Sequence, residues 1–255
     1  MKTPKILALD FDGVICNGVF EYFQSSKKTY NKIWSEYANN EYAQKFYKLR
    51  PVIEHGWEMP VLLRAIILGY SEEEILDNWQ EIASKIVSSE NLNISQITQE
   101  LDQVRDNWIN SNLDEWLSLQ TPYQGVIEKV KKIIKSGTIL YIISTKEGRF
   151  IGKFLQRYNV PLSQVLIIGK ECKQPKYETL RLISNKEKVD ASEIWFVEDR
   201  LKTLNLVAQQ PYLKNIQLYL ADWGYNTQKM RETAQNEGII KILSLNQFCQ
   251  DLSQW

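Results

Sequence analysis

KILALDFDGVICNG, Lys5 to Gly18, joins a strand-like apolar run to a pair of acidic residues. Its apolar run Ile6–Leu9 has the length and composition of a buried strand, and it leads directly into Asp10 and Asp12 with Phe11 between them. Two like charges at the end of a buried strand repel each other and lose hydration, so a positive partner is expected nearby. The rest of the chain decides whether the pair does chemistry or only solvates a strand end.

Four further short apolar runs, Ile139–Ile143, Val165–Ile168, Ile194–Val197 and Ile216–Leu220, are rich in Ile, Leu and Val with little alternation. That pattern suits parallel strands covered on both faces. Helical stretches lie between them. In YQGVIEKVKKIIKSG the residues Val126, Ile127, Val130, Ile133 and Ile134 share one helical face, and Gly137 is placed to end the helix. EGRFIGKFLQRYNV and ETLRLISNKEKV read the same way. The alternation predicts an α/β fold with a Rossmann-like, doubly wound parallel sheet.

Residues 18–117 break this rhythm. Segments such as YFQSSKKTYNKIWSEYANNEYAQKFYKL, MPVLLRAIILG, SEEEILDNWQEIASKIVSS and SQITQELDQVRDNWINSNLDEWLSL all carry helical periodicity, and Ser71 with Glu74 forms a capping-box pattern. One crossover needs far fewer residues. The expected organisation is therefore an α/β core of residues 1–17 and 118–255, with a helical domain of residues 18–117 inserted after the first strand.

Composition removes several classes. Lys plus Arg and Asp plus Glu both number 31, so no charge bias points to nucleic acid or to an anionic membrane. No segment reaches the ~18 apolar residues of a membrane span, and PKILALDFDG lacks the apolar run of a signal peptide. Cys16, Cys172 and Cys249 are widely spaced, which suits a reducing, cytoplasmic setting and gives no thiolate metal site. His55 is the single histidine, so zinc sites built on several histidines are excluded.

In an open parallel sheet, ligands bind beyond the carboxyl ends of the strands. Those ends carry Asp10-Phe11-Asp12-Gly13, then Ser144-Thr145-Lys146, then a loop with Lys173 and Lys176, then Glu198-Asp199. Each group alone is commonplace. In this order, each following a strand, they form a constellation.

With these residues the sequence resembles the haloacid dehalogenase superfamily, which reads DxDx(T/V), then Ser or Thr, then Lys, then an acidic pair. DFDGV at Asp10–Val14 matches the first motif, PYQGVIEKVKKIIKSGTILYIISTK leads into the second, and WFVEDR is similar to the fourth. ADWGYN at Ala221–Asn226 resembles a Trp-Gly-Tyr turn often found one strand later. The insert falls where the family carries its helical C1 cap.

The resemblance implies an Mg²⁺-dependent phosphatase acting on a small phosphorylated metabolite. Asp10 is the expected nucleophile and Asp12 the acid/base. A cation has to bridge carboxylate and phosphate, and Asp10, the carbonyl of Asp12, Asp199 and Glu198 are its expected ligands. Ser144, Thr145 and Lys176 are the expected phosphate-binding groups, with Lys173 as the competitor for the lysine role. Dehalogenases of the superfamily lack the second Asp and transport ATPases carry Thr there, so Asp12 implies a phosphomonoester hydrolase or a sugar phosphomutase. A binding module that kept the fold without turnover is the third reading. It draws on Thr203, which stands where many relatives have another Asp. The segment with Arg50, Glu54, His55, Trp57 and Glu58 reads either as a substrate-reading loop or as a structural one.

Overall fold

The computed structural model describes residues 3–255, so Met1 and Lys2 of the expected 1–17 segment lie outside the described residues. The chain forms two compact units. One comprises the described residues through Asn17 together with Pro122–Trp255, and the other is Gly18–Thr121.

The strands in chain order are β1 (Ile6–Leu9), β2 (Cys16–Asn17), β3 (Thr121–Pro122), β4 (Ile139–Ile143), β5 (Leu166–Ile168), β6 (Ile194–Glu198), β7 (Gln217–Ala221) and β8 (Lys241–Leu243). Six of them form one sheet in the order β5-β4-β1-β6-β7-β8, with every pairing parallel. The fold is therefore the expected α/β, Rossmann-like parallel sheet. β5 and β7 each begin one residue later than their apolar runs, and β8 adds an edge strand. β1 lies in the middle, between β4 and β6, so the sheet order reverses direction there. Such switch points open a crevice at the carboxyl edge.

The unit Gly18–Thr121 is helical: α1 (Val19–Ile33), α2 (Ala43–Leu49), α3 (Glu58–Ile67), α4 (Glu72–Ser89), α5 (Ile94–Ser111) and α6 (Leu113–Ser118). Ser71 opens α4 with both hydrogen bonds of the capping box to Glu74 in place. Inside this unit Glu21 is fully buried, and Arg105 grips it through two bonds of 2.8 and 2.9 Å. Ser25 donates a third bond to the same carboxylate, at 2.5 Å. A buried carboxylate tolerates its desolvation only with such partners.

The α/β unit carries α7 (Val126–Lys135), α8 (Gly148–Arg157), α9 (Lys176–Glu187), α10 (Leu201–Ala208), α11 (Gln228–Glu237) and α12 (Leu245–Cys249). Ile6 and Ala8 of β1 pack on one side of the sheet with Leu180 and Ile183 of α9 and Leu204 and Val207 of α10. α7 buries Val126, Ile127, Val130 and Ile133 and ends at Gly137, whose φ of +85° suits the left-handed position after a helix. Among the described residues no helix is long and apolar enough to cross a membrane.

Candidate active site

Sheet register builds the site. Leu9 at the end of β1 lies level with Ile142 on β4 and with Val197 on β6. The next residue, Asp10, donates its amide to the Val197 carbonyl at 2.9 Å, so the ladder continues one step past the strand. That step sets Asp10 beside Glu198, with Ser144 following the end of β4 and Asp199 the end of β6. Phe11 turns into the core, edge-on to Phe154 of α8 at 5.1 Å between ring centroids.

The turn is held by Gly13, at a φ of +91°. A Cβ on Gly13 would sit 1.9 Å from Oδ2 of Asp199, and one on Gly224 would sit 2.3 Å from the Asp199 Cβ. Two glycines thus leave room for one carboxylate, which no larger residue does in this backbone.

The positive partner expected for Asp10 is Lys176. Its Nζ donates to Oδ1 of Asp10 and to Oε2 of Glu198, both at 2.6 Å. Oε1 of Glu198 accepts the amides of Asp199 and Arg200, each at 3.1 Å. Burial pushes Asp10 up to about 7, with the Glu198 charge acting in the same direction and Lys176 opposing both. Burial alone would raise Glu198 too, but Lys176 and the Asp199 amide outweigh it and hold Glu198 below the usual carboxylate range. Lys176 is held above its ordinary value because Asp10 and Glu198 together outweigh its own desolvation.

Asp199 is buried and pushed well above the usual range, first by desolvation and then by Glu198 and Asp10. Its Oδ2 accepts the Tyr225 amide at 2.7 Å, while Oδ1 is buried without a hydrogen-bond partner. Asp10, Glu198 and Asp199 each offer an oxygen, all within 4.8 Å of one another. Three buried carboxylates with one orphaned oxygen form an oxygen-only donor set of the kind that hard divalent cations take. The residues present fit Mg²⁺.

The ADWGYN loop braces this group. Asn226 donates to the carbonyls of Asp199 and Ala221 at 3.0 and 2.8 Å, and Arg231 donates to the Asn226 Oδ1 at 2.8 Å. Trp223 donates to the Val14 carbonyl at 3.1 Å, tying the loop to the turn after Asp12. Thr203 lies inside α10, its amide bonded to the Arg200 carbonyl. The loop, with no carboxylate at that position, supplies the support around Asp199.

Ser144 is buried, and Thr145 beside it is exposed. The Ser144 hydroxyl accepts the amide of Lys146 at 3.1 Å. Lys173 is exposed on its turn, where its φ is +50°. Lys146 was not among the expected site residues, yet its Nζ lies 3.0 Å from Oδ1 of Asp12 and 3.4 Å from Oδ2. Its place directly after the strand-end Ser-Thr pair was the available signal. In the helical unit, Arg50 is buried and donates to the Ile53 carbonyl at 3.1 Å. Glu58, also buried, accepts the amides of Glu54 and His55, so both charges brace their own loop; His55 is exposed.

A sequence profile of haloacid dehalogenase-like hydrolases matches residues 68–206, more than half of the chain. The chain belongs to that family. No protein of curated function matches it significantly. Solved structures share its fold at low identity. A "predicted phosphatase" from Clostridium acetobutylicum aligns over 100% of both chains at 13% identity with a TM-score of 0.65. A "predicted phosphoglycolate phosphatase" from Haemophilus somnus aligns over 89% of this chain and 88% of its own, at 14% identity and a TM-score of 0.61. A haloacid dehalogenase-like family hydrolase from Streptococcus pneumoniae aligns over 94% of each chain at 12% identity, with a TM-score of 0.58. The family profile begins within the helical unit, so DFDGV lies outside the matched residues.

Proposed function

We propose that this haloacid dehalogenase-like hydrolase is an Mg²⁺-dependent phosphatase acting on a small phosphomonoester, with Asp10 as nucleophile. The observation that carries the reading is the convergence of Asp10, Glu198 and Asp199 around one point, with Lys176 bonded to Asp10 and Asp12 two residues along. Asp10, Asp199 and the carbonyl oxygen of Asp12 would hold the cation, with Glu198 adjoining. When bound, it supplies the charge that lets an anionic carboxylate approach an anionic phosphoryl group.

One Asp10 oxygen attacks phosphorus in line while the bond to the leaving oxygen breaks, and Asp12 delivers a proton to that oxygen. Water then attacks the aspartyl phosphate. Asp12 takes its proton, and the electron pair of the P–O bond returns to Asp10. Ser144 and Lys176 hold the phosphoryl oxygens as charge moves between them. Each cycle consumes one water and releases an alcohol and inorganic phosphate. Substrate choice is assigned to Gly18–Thr121 on its position in the chain alone. A cytoplasmic setting belongs to the same reading, in keeping with three cysteines in the thiol form.

The test is a screen of phosphorylated metabolites with Mg²⁺, reading phosphate release, repeated with Asp10→Asn. Release by wild type and none by the variant is expected. Full activity in Asp10→Asn, or activity untouched by a strong chelator, would overturn the mechanism.

A further inference from the structure

We propose that Lys146 is a positioning residue that holds the Asp12 carboxylate for proton transfer, and that the cluster divides its two lysines by task. The inference rests on the phosphatase reading above and adds a residue to it.

The charges set the problem. Asp10, Asp12, Glu198 and Asp199 place four carboxylates around one turn, and Lys176 is committed to Asp10 and Glu198. Asp12 has its own cation. The Lys146 side chain is 11% exposed and that of Asp12 17%, so the pair is shielded enough for its geometry to matter. The ammonium also lies 5.6 Å from the centroid of the Phe11 ring, within cation–π range, and that ring is fixed edge-on against Phe154. The backbone of Lys146 is pinned at both ends. Its amide donates to the Ser144 hydroxyl, and its carbonyl accepts the Lys170 amide at 2.9 Å.

A carboxylate that must give a proton in one half-reaction and take one in the next has to face the same point in both. An unheld Asp12 would be free to turn toward the cation site two residues away. Lys146, anchored on the ring that separates the two aspartates, prevents that rotation.

The two half-reactions separate the possibilities. With p-nitrophenyl phosphate the leaving nitrophenolate needs no proton, so Asp12 is required only when water attacks the phosphoenzyme. In Lys146→Met the first-turnover release of nitrophenolate should stay within about threefold of wild type. Steady-state turnover should fall about 100-fold, the scale of a misplaced acid/base. Phosphoenzyme should then accumulate above its wild-type level and be trapped by acid for intact-mass detection. Lys146→Gln should behave alike, and Lys146→Arg should recover part of the turnover because it can still reach the carboxylate.

A raised KM with a slowed first turnover would make Lys146 a phosphate ligand and overturn the assignment. Parallel loss in both steps with a lowered melting temperature would make it structural, with the same consequence. A wild-type chain that releases nothing from any phosphomonoester overturns the parent reading and this one together. Normal wild-type turnover with no trapped phosphoenzyme in either variant overturns this one alone.

Discussion

Lys176 Nζ stands 2.6 Å from Asp10 and 2.6 Å from Glu198, so one buried ammonium serves two carboxylates that belong to neighbouring strands. Removing it would leave two buried charges facing each other. Lys176→Met is expected to cost about 3–5 kcal/mol in a denaturant titration, as for other broken buried pairs. Lys173→Met, at an exposed position, should stay within about 0.5 kcal/mol. Equal costs would show that Lys176 carries no special load.

The metal-free protein should lose stability as pH rises through the Asp10 titration. An unfolded Asp10 gives up its proton near the ordinary value of 3.8, whereas the folded one holds it to about 7. Between these values the folded state binds more protons, so its advantage is complete below the lower one and gone above the upper. Melting temperatures in a chelator at pH 5 and pH 8 test this by comparison with Asp10→Asn. The variant should gain on wild type toward pH 8. A constant difference between the two proteins would refute it.

Asp199→Asn should stabilise the metal-free chain and abolish its response to Mg²⁺. The substitution removes the charge that repels Glu198 and Asp10 and puts an amide where the orphaned oxygen stood. Thermal melts with and without Mg²⁺ read both effects. A variant that melts lower than wild type without metal, or that is still stabilised by Mg²⁺, contradicts the assignment.

Gly13→Ala should damage cation binding more than its backbone cost explains. The positive φ alone costs roughly 1 kcal/mol, but the new Cβ also presses on Asp199. Gly137→Ala is the control, since its φ is also positive and a Cβ there meets nothing. Mg²⁺ titration calorimetry should show weakened binding only for the first.

Arg105→Met should unfold the helical unit more easily by about 3 kcal/mol, because Glu21 keeps its charge without its main partner. Adding Glu21→Gln should restore much of that loss in a double-mutant cycle.

The sequence disclosed the sheet and its four strand-end motifs because both follow from local pattern: apolar runs of strand length, each ending in a chemical group. It also disclosed the capping box at Ser71, which spans one turn of chain. Contacts between distant segments were less visible. Asn226 and the Tyr225 amide brace Asp199 from a loop beyond the next strand, a relation that no spacing rule encodes. Lys146 stood in plain view after Ser144 but faces Asp12 only once β1 and β4 are paired. β8 was missed because three residues with one exposed lysine make a weak apolar signal. For the segment with Arg50 and Glu58 the sequence leaves a substrate-reading and a structural loop equally open. The hydrogen bonds of both side chains to a carbonyl or amides of their own loop appear only in three dimensions.

The central place of β1 also sets an order of events at the ribosome. Ile6 pairs with Ile139 on one side and with Ile194 on the other, so β1 has no sheet neighbour until more than a hundred further residues have emerged. The helical stretch Gly18–Thr121, a compact unit by itself, is synthesised in full during that wait. Asp10 therefore leaves the tunnel long before Lys176, the group that its carboxylate is bonded to, has been made.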